Sequence, residues 1–192
     1  MIALDVSHLT VTLGGRRIID DVSFTIKAGE IVGLVGASGS GKSMTARALC
    51  GLFPPHAMTS GNITINENRL PSDDRNGFAA IRGREIGLVF QDPAGIFNPL
   101  MSLGAHVAEP LARCAKQAWD DARVTAQHVL DRSGFPKSIP AFARYPHEVS
   151  GGQRQRAMIA AALALSPRLL IADEPTTALD VTTEAAILDH LK

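Results

Sequence analysis

Residues 36–43 read Gly36-Ala37-Ser38-Gly39-Ser40-Gly41-Lys42-Ser43, and this segment constrains the fold more tightly than any other. A glycine, four free positions and Gly-Lys-Ser form the pattern of a phosphate-binding loop between a strand and a helix. The flanks agree with that context. Residues 30–35 are a short, mainly apolar run, which predicts a buried strand of the kind found in parallel sheets. Residues 42–52 have helical spacing and stop before Pro54-Pro55. The glycines let backbone N–H groups turn inward around a polyphosphate with no Cβ in the way. The helix starting near Lys42 aims its positive dipole end at the same anion. Lys42 is expected to reach the β- and γ-phosphates, and Ser43 to offer its hydroxyl to Mg²⁺.

A second chemical segment lies far along the chain. Leu169-Leu170-Ile171-Ala172 is an apolar strand that runs into Asp173-Glu174. A strand of a nucleotide-binding sheet ends at the ligand crevice. There Asp173 is expected to hold Mg²⁺ directly or through water. Glu174 is expected to polarise the attacking water as a general base. Two adjacent carboxylates alone would be no more than a solvated strand end. The phosphate loop in the same chain gives them their meaning.

The rest of the chain frames these two segments. Residues 2–13 and 22–26 alternate apolar and polar side chains around Gly14-Gly15, predicting antiparallel strands with a turn. Residues 63–65 and 86–90 are further strands. Between Pro99 and Pro146 alanine-rich helical patterns dominate, broken at Gly134 and Pro136, and an inserted helical subdomain over 99–146 is expected. Residues 151–165 and 182–191 are helical. The most apolar stretch, 158–165, is far short of the roughly 20 residues that span a bilayer. A formal net charge of zero gives no broad basic field, so nucleic acid is not an expected partner. The six histidines show no HExxH spacing, and Cys50 and Cys114 show no CxxC spacing. The sequence therefore indicates no zinc site, and the cysteines read as small buried side chains.

Ser150-Gly151-Gly152-Gln153 narrows the field. It resembles the LSGGQ signature of ABC ATPases, with Val149 in place of the leucine. Physically it is another anion site, a hydroxyl and glycine amides at a helix start. Gln91 resembles the Q-loop glutamine that contacts Mg²⁺ and the attacking water. Thr177-Ala178-Leu179-Asp180 resembles the D-loop that crosses the dimer interface. Gln91-Asp92-Pro93, Phe97-Asn98-Pro99-Leu100 and Tyr145-Pro146-His147-Glu148 are similar to segments of the peptide and nickel importer group.

The resemblance implies an α/β P-loop NTPase (RecA-like) core with an N-terminal antiparallel β-subdomain and the inserted helical subdomain. It implies ATP and Mg²⁺ as cofactors, and ATP hydrolysis coupled to uptake of peptides or nickel. Implied partners are a second ATP-binding subunit paired head to tail, so that each signature meets the partner's γ-phosphate, and two integral membrane permease subunits. An extracytoplasmic solute-binding protein takes part indirectly. The implied location is peripheral, on the cytoplasmic face of the inner membrane.

Two departures from the family pattern carry expectations. Leu13 stands where an adenine-stacking aromatic is usual, which predicts weaker nucleotide affinity. The family's switch histidine lies on a strand after the D-loop helix; His190 falls inside the expected helix, too early for that role. The sequence reading therefore expects a domain with its C-terminal core strands missing. The competing readings are a non-catalytic remnant of such a subunit and a soluble ABC ATPase outside transport.

Overall fold

A computed structural model describes residues 1–93 and 95–175. The expected helix over 182–191 and the D-loop with Asp180 lie outside the described residues. The chain divides into two compact units, Met1–Ile86 and Gly87–Lys192.

The first unit is built on a four-stranded antiparallel sheet in the order β2-β1-β3-β4. Its strands are β1 (Ile2–Leu13), β2 (Arg16–Lys27), β3 (Met58–Ile65) and β4 (Asn68–Pro71). Gly14 and Gly15 both have positive φ, 57° and 78°, as a two-residue hairpin turn requires. The alternation read in β1 is a burial pattern. Leu4, Val6, Leu9 and Val11 are buried, as are Ile63 and Ile65 across from them on β3. Helix α1 (Lys42–Leu49) follows the glycine-rich loop. It stops three residues before the expected end because Gly51 takes φ 64°. The Gly51 N–H then donates to the Ala48 carbonyl and the Leu52 N–H to the Arg47 carbonyl, both at 2.9 Å, a Schellman closure. Helix α2 (Arg75–Ile81), which the sequence reading did not separate, starts where the Asp74 carboxylate accepts from the Gly77 N–H at 2.9 Å. Cys50 is buried, and burial pushes its thiol up to about 12, so it stays protonated and inert. Cys114 is only half-buried, because it caps the surface end of a helix.

One expectation is overturned here. Residues 30–35 form no strand among the described residues. Ile31, Val32, Leu34 and Val35 are 76%, 51%, 57% and 92% exposed. Apolarity marks only a preference for burial. A strand is defined by its hydrogen-bonded neighbour, however, and neither sheet of the described residues supplies one.

Among its described residues, the second unit joins a two-stranded sheet, β5 (Ile86–Val89) with β6 (Leu169–Ala172), to three α-helices. These are α3 (Leu103–Arg113), α4 (Trp119–Arg132) and α5 (Gly151–Leu163). Their apolar faces form one core that includes Leu103, Val107, Leu111, Leu130, Phe135 and Ile159. Helix α4 ends as the sequence predicts. Gly134 has φ 70°, its N–H donates to the Asp131 carbonyl, and the Phe135 N–H donates to the Leu130 carbonyl.

Candidate functional site

The phosphate loop lies in the first unit. Gly39 and Gly41 have φ 76° and 96°, conformations that a side chain would strain. A Cβ on Gly41 would meet the Ile18 carbonyl oxygen at 2.8 Å, and one on Gly36 would meet the Ser40 hydroxyl at 2.8 Å. Gly41 is the N-cap of α1, and no side chain caps that helix. Lys42 folds back over the loop, donating from Nζ to the carbonyls of Gly36 and Ala37, each at 2.9 Å. A cradle of this shape, with a lysine ammonium over it and an uncapped helix start beneath, suits a polyphosphate. Ser43 is the second residue of the same helix.

In the second unit the strand end brings two expected site residues together. Asp173 leaves β6 with its N–H donating to the Val89 carbonyl of β5 at 2.9 Å. Glu174 follows with φ 48°, a left-handed conformation uncommon for a residue with a Cβ. Its carboxylate accepts from the Gln91 Nε2 at 2.5 Å. These two side chains are 83 residues apart in sequence, and both are exposed. A carboxylate at a strand end, held by a neutral amide and open to solvent, can accept a proton from a water molecule.

The segment after Gln91 is fixed by a residue that sequence reasoning missed. His106 on α3 accepts at Nε2 from the Asn98 N–H at 2.9 Å and bonds at Nδ1 to the Ser102 carbonyl at 2.8 Å. A carbonyl only accepts, so Nδ1 carries the proton and the ring is neutral. The Phe97 ring meets His106 edge-on, with centroids 4.9 Å apart. The Asn98-Pro99 segment is thereby fastened to α3.

The signature residues form a capping box at the start of α5. The Ser150 Oγ accepts from the Gln153 N–H at 3.3 Å, and the Gln153 Oε1 accepts from the Ser150 N–H at 2.9 Å. Gly151 and Gly152 occupy the first helical positions. One turn on, the Gln155 side chain donates to the Pro175 carbonyl, just beyond Glu174. Gln155 was also missed. The available signal was a polar residue in helical register with the apolar Met158 and Ile159.

The family model for ABC transporters matches residues 19–177. The chain belongs to the ABC transporter family. Among curated ABC relatives, it is 41% identical over 194 residues to the oligopeptide transport ATP-binding protein OppD of Salmonella typhimurium. That match covers 99% of this chain and 58% of the relative. It is 42% identical over 176 residues to AppD, an oligopeptide transport ATP-binding protein of Bacillus subtilis, covering 91% of this chain and 54% of the relative. The chain thus spans a little over half the length of these relatives. The structure resembles the dimeric post-hydrolysis ATP-binding cassette MJ0796 bound to ADP and Pi, with a TM-score of 0.84 and 31% identity. That likeness covers 98% of this chain and 81% of the other. The fold is that of an ATP-binding cassette of the ABC family, as the sequence resemblance implies.

Proposed function

We propose that this chain is the ATP-binding and hydrolysing part of an ABC importer subunit that powers peptide uptake. The observation that carries the catalytic half of this reading is the Gln91–Glu174 hydrogen bond at the end of β6. It joins the proposed water-orienting glutamine to the proposed general base. The cargo half rests on the relatives, which are named as oligopeptide and peptide transport ATP-binding proteins.

The family resemblance, together with the local geometry within each unit, supports the following roles. The loop 36–43 binds the phosphates, with Lys42 releasing its two carbonyls for phosphate oxygens. Glu174 takes the proton from water, and Gln91 orients both. Ser43, Gln91 and Asp173 are the residues that would hold Mg²⁺; the hard oxygen donors of this set suit that ion. Mg²⁺ would, when bound, supply positive charge that offsets the charge of the phosphates. The capping-box residues Ser150, Gly151, Gly152 and Gln153 serve the nucleotide of a second, head-to-tail ATP-binding subunit. Asp180 belongs to the interface between the two subunits.

The inserted helical segment, residues 99–146, is the surface for a membrane permease subunit at the cytoplasmic face. Leu100, Trp119 and Val124 are exposed there, at 86%, 45% and 60%. Energising that permease drives uptake of substrate from a solute-binding protein. Uptake of labelled oligopeptide by cells carrying the intact operon, with crosslinks from positions 119 and 124 to the permease, tests this reading. Nickel uptake without peptide uptake would reassign the cargo. Crosslinks confined to β1 and β2 would overturn the docking surface.

Leu13 supplies a further test. It lies half-buried at the end of β1, and the resemblance aligns it with the family's adenine-stacking aromatic. Base–aromatic stacking is worth about 1–3 kcal/mol per base. Leu13→Tyr is therefore expected to tighten ATP affinity by about tenfold, read by nucleotide titration. Unchanged affinity would mean that another residue already contacts the base.

A further inference from the structure

We propose that Gln155 is a positioning residue for hydrolysis: from the second turn of α5 its side-chain amide holds the Pro175 carbonyl and so fixes the backbone turn that carries Glu174. This rests on the reading of Glu174 as the general base.

The first support is the strand end itself. Glu174 sits in a left-handed conformation, φ 48°, which persists only where the surroundings over-determine it. Before it, the Asp173 N–H is tied to Val89 on β5. After it comes Pro175, which has no N–H and cannot anchor the turn by donating. Its carbonyl still offers a main-chain handle, and Gln155 takes it. Glu174 is thereby tied through the backbone on both sides and through its carboxylate to Gln91. The position of its carboxylate becomes a joint property of β5, α5 and Gln91.

The second support is the amide. Gln155 is only 1% exposed, among the buried Ala157, Met158 and Ile159 of the same helix. A carbonyl only accepts, so the NH₂ end must face Pro175. The Oε1 end is then buried with no hydrogen-bond partner among the described residues. An apolar side chain of similar size would pack there without that defect. Packing therefore does not account for glutamine at this position, whereas the held carbonyl does.

The test compares Gln155→Leu and Gln155→Met with the parent in the natural full-length protein. Both substitutions keep the volume and remove the donor. Rates are normalised to ATP-binding stoichiometry, and cooperative thermal unfolding is recorded alongside. The expected result is a kcat about tenfold or more below the parent, because small misplacements of a reacting group carry penalties of that order. The KM for ATP should stay within about twofold, since the phosphate loop is untouched. A parent-like kcat in both variants would overturn the proposal. So would loss of cooperative unfolding in both, which would make Gln155 a folding residue. Glu174→Gln in the same assay separates the two levels. If it abolishes hydrolysis while Gln155→Leu does not, the positioning role alone falls. If it leaves hydrolysis intact, the role of Glu174 falls and the proposal with it.

Discussion

Glu174→Gln is expected to retain ATP binding and to lose hydrolysis by at least about 10²-fold, the range of a general base. The substitution is close to isosteric. It keeps an oxygen that can accept from Gln91 Nε2, which now lies 2.5 Å from the carboxylate. What it removes is the capacity to take a proton from water. Binding should survive because the phosphate loop and Lys42 are unchanged. If two subunits close on ATP and open on its cleavage, the variant should accumulate as an ATP-bound dimer. Size-exclusion chromatography with ATP and Mg²⁺ reads that state. A monomer at saturating ATP would count against the head-to-tail arrangement, and undiminished turnover would remove Glu174 from catalysis.

Lys42→Ala should produce the opposite pattern, a loss of ATP binding by about 10²-fold or more. Its ammonium makes two hydrogen bonds to the loop carbonyls of Gly36 and Ala37. A phosphate seated in the loop would take that cation as its partner. A hydrogen bond to a charged group contributes about 1.5–3 kcal/mol, so losing two reaches that factor. Both hydrogen bonds are open to solvent, so the melting temperature should change little. Calorimetric titration with ATP beside a thermal melt separates the two quantities. Unchanged affinity would sink the assignment of residues 36–43 as the phosphate site.

Local motifs were more legible in the sequence than the pairing of strands. The phosphate loop, the carboxylates after β6 and the capping box are short-range patterns. Each depends on local conformation that a few residues specify, such as Gly41 at φ 96° or Ser150 and Gln153 three apart. The hairpin of β1 and β2 was legible for the same reason, through Gly14-Gly15. Residues 30–35 show the limit. Their apolarity states a preference for burial, but the neighbour that would bury them is a long-range matter that no local pattern encodes. Helix α2 was missed because its seven residues hold one buried side chain, Phe78, too few to show a period. Gln155 and His106 were missed because their roles are to hold carbonyls and N–H groups brought near only by folding.

Serine at position 150 answers two demands that differ in sign. As the cap of α5 it must accept, and its Oγ does so from the Gln153 N–H. Aspartate or asparagine would cap a helix about as well. A hydroxyl, however, has a proton left over after accepting, and it carries no charge. A partner's phosphate meeting this helix start would find a donor rather than a repelling anion. Aspartate would satisfy the helix and turn the phosphate away. In the proposed head-to-tail pairing, the same atom would stabilise its own subunit at all times and bond to a neighbour's nucleotide only when that neighbour arrives. Such an assembly would need no rearrangement of the cap, only the turning of one O–H bond.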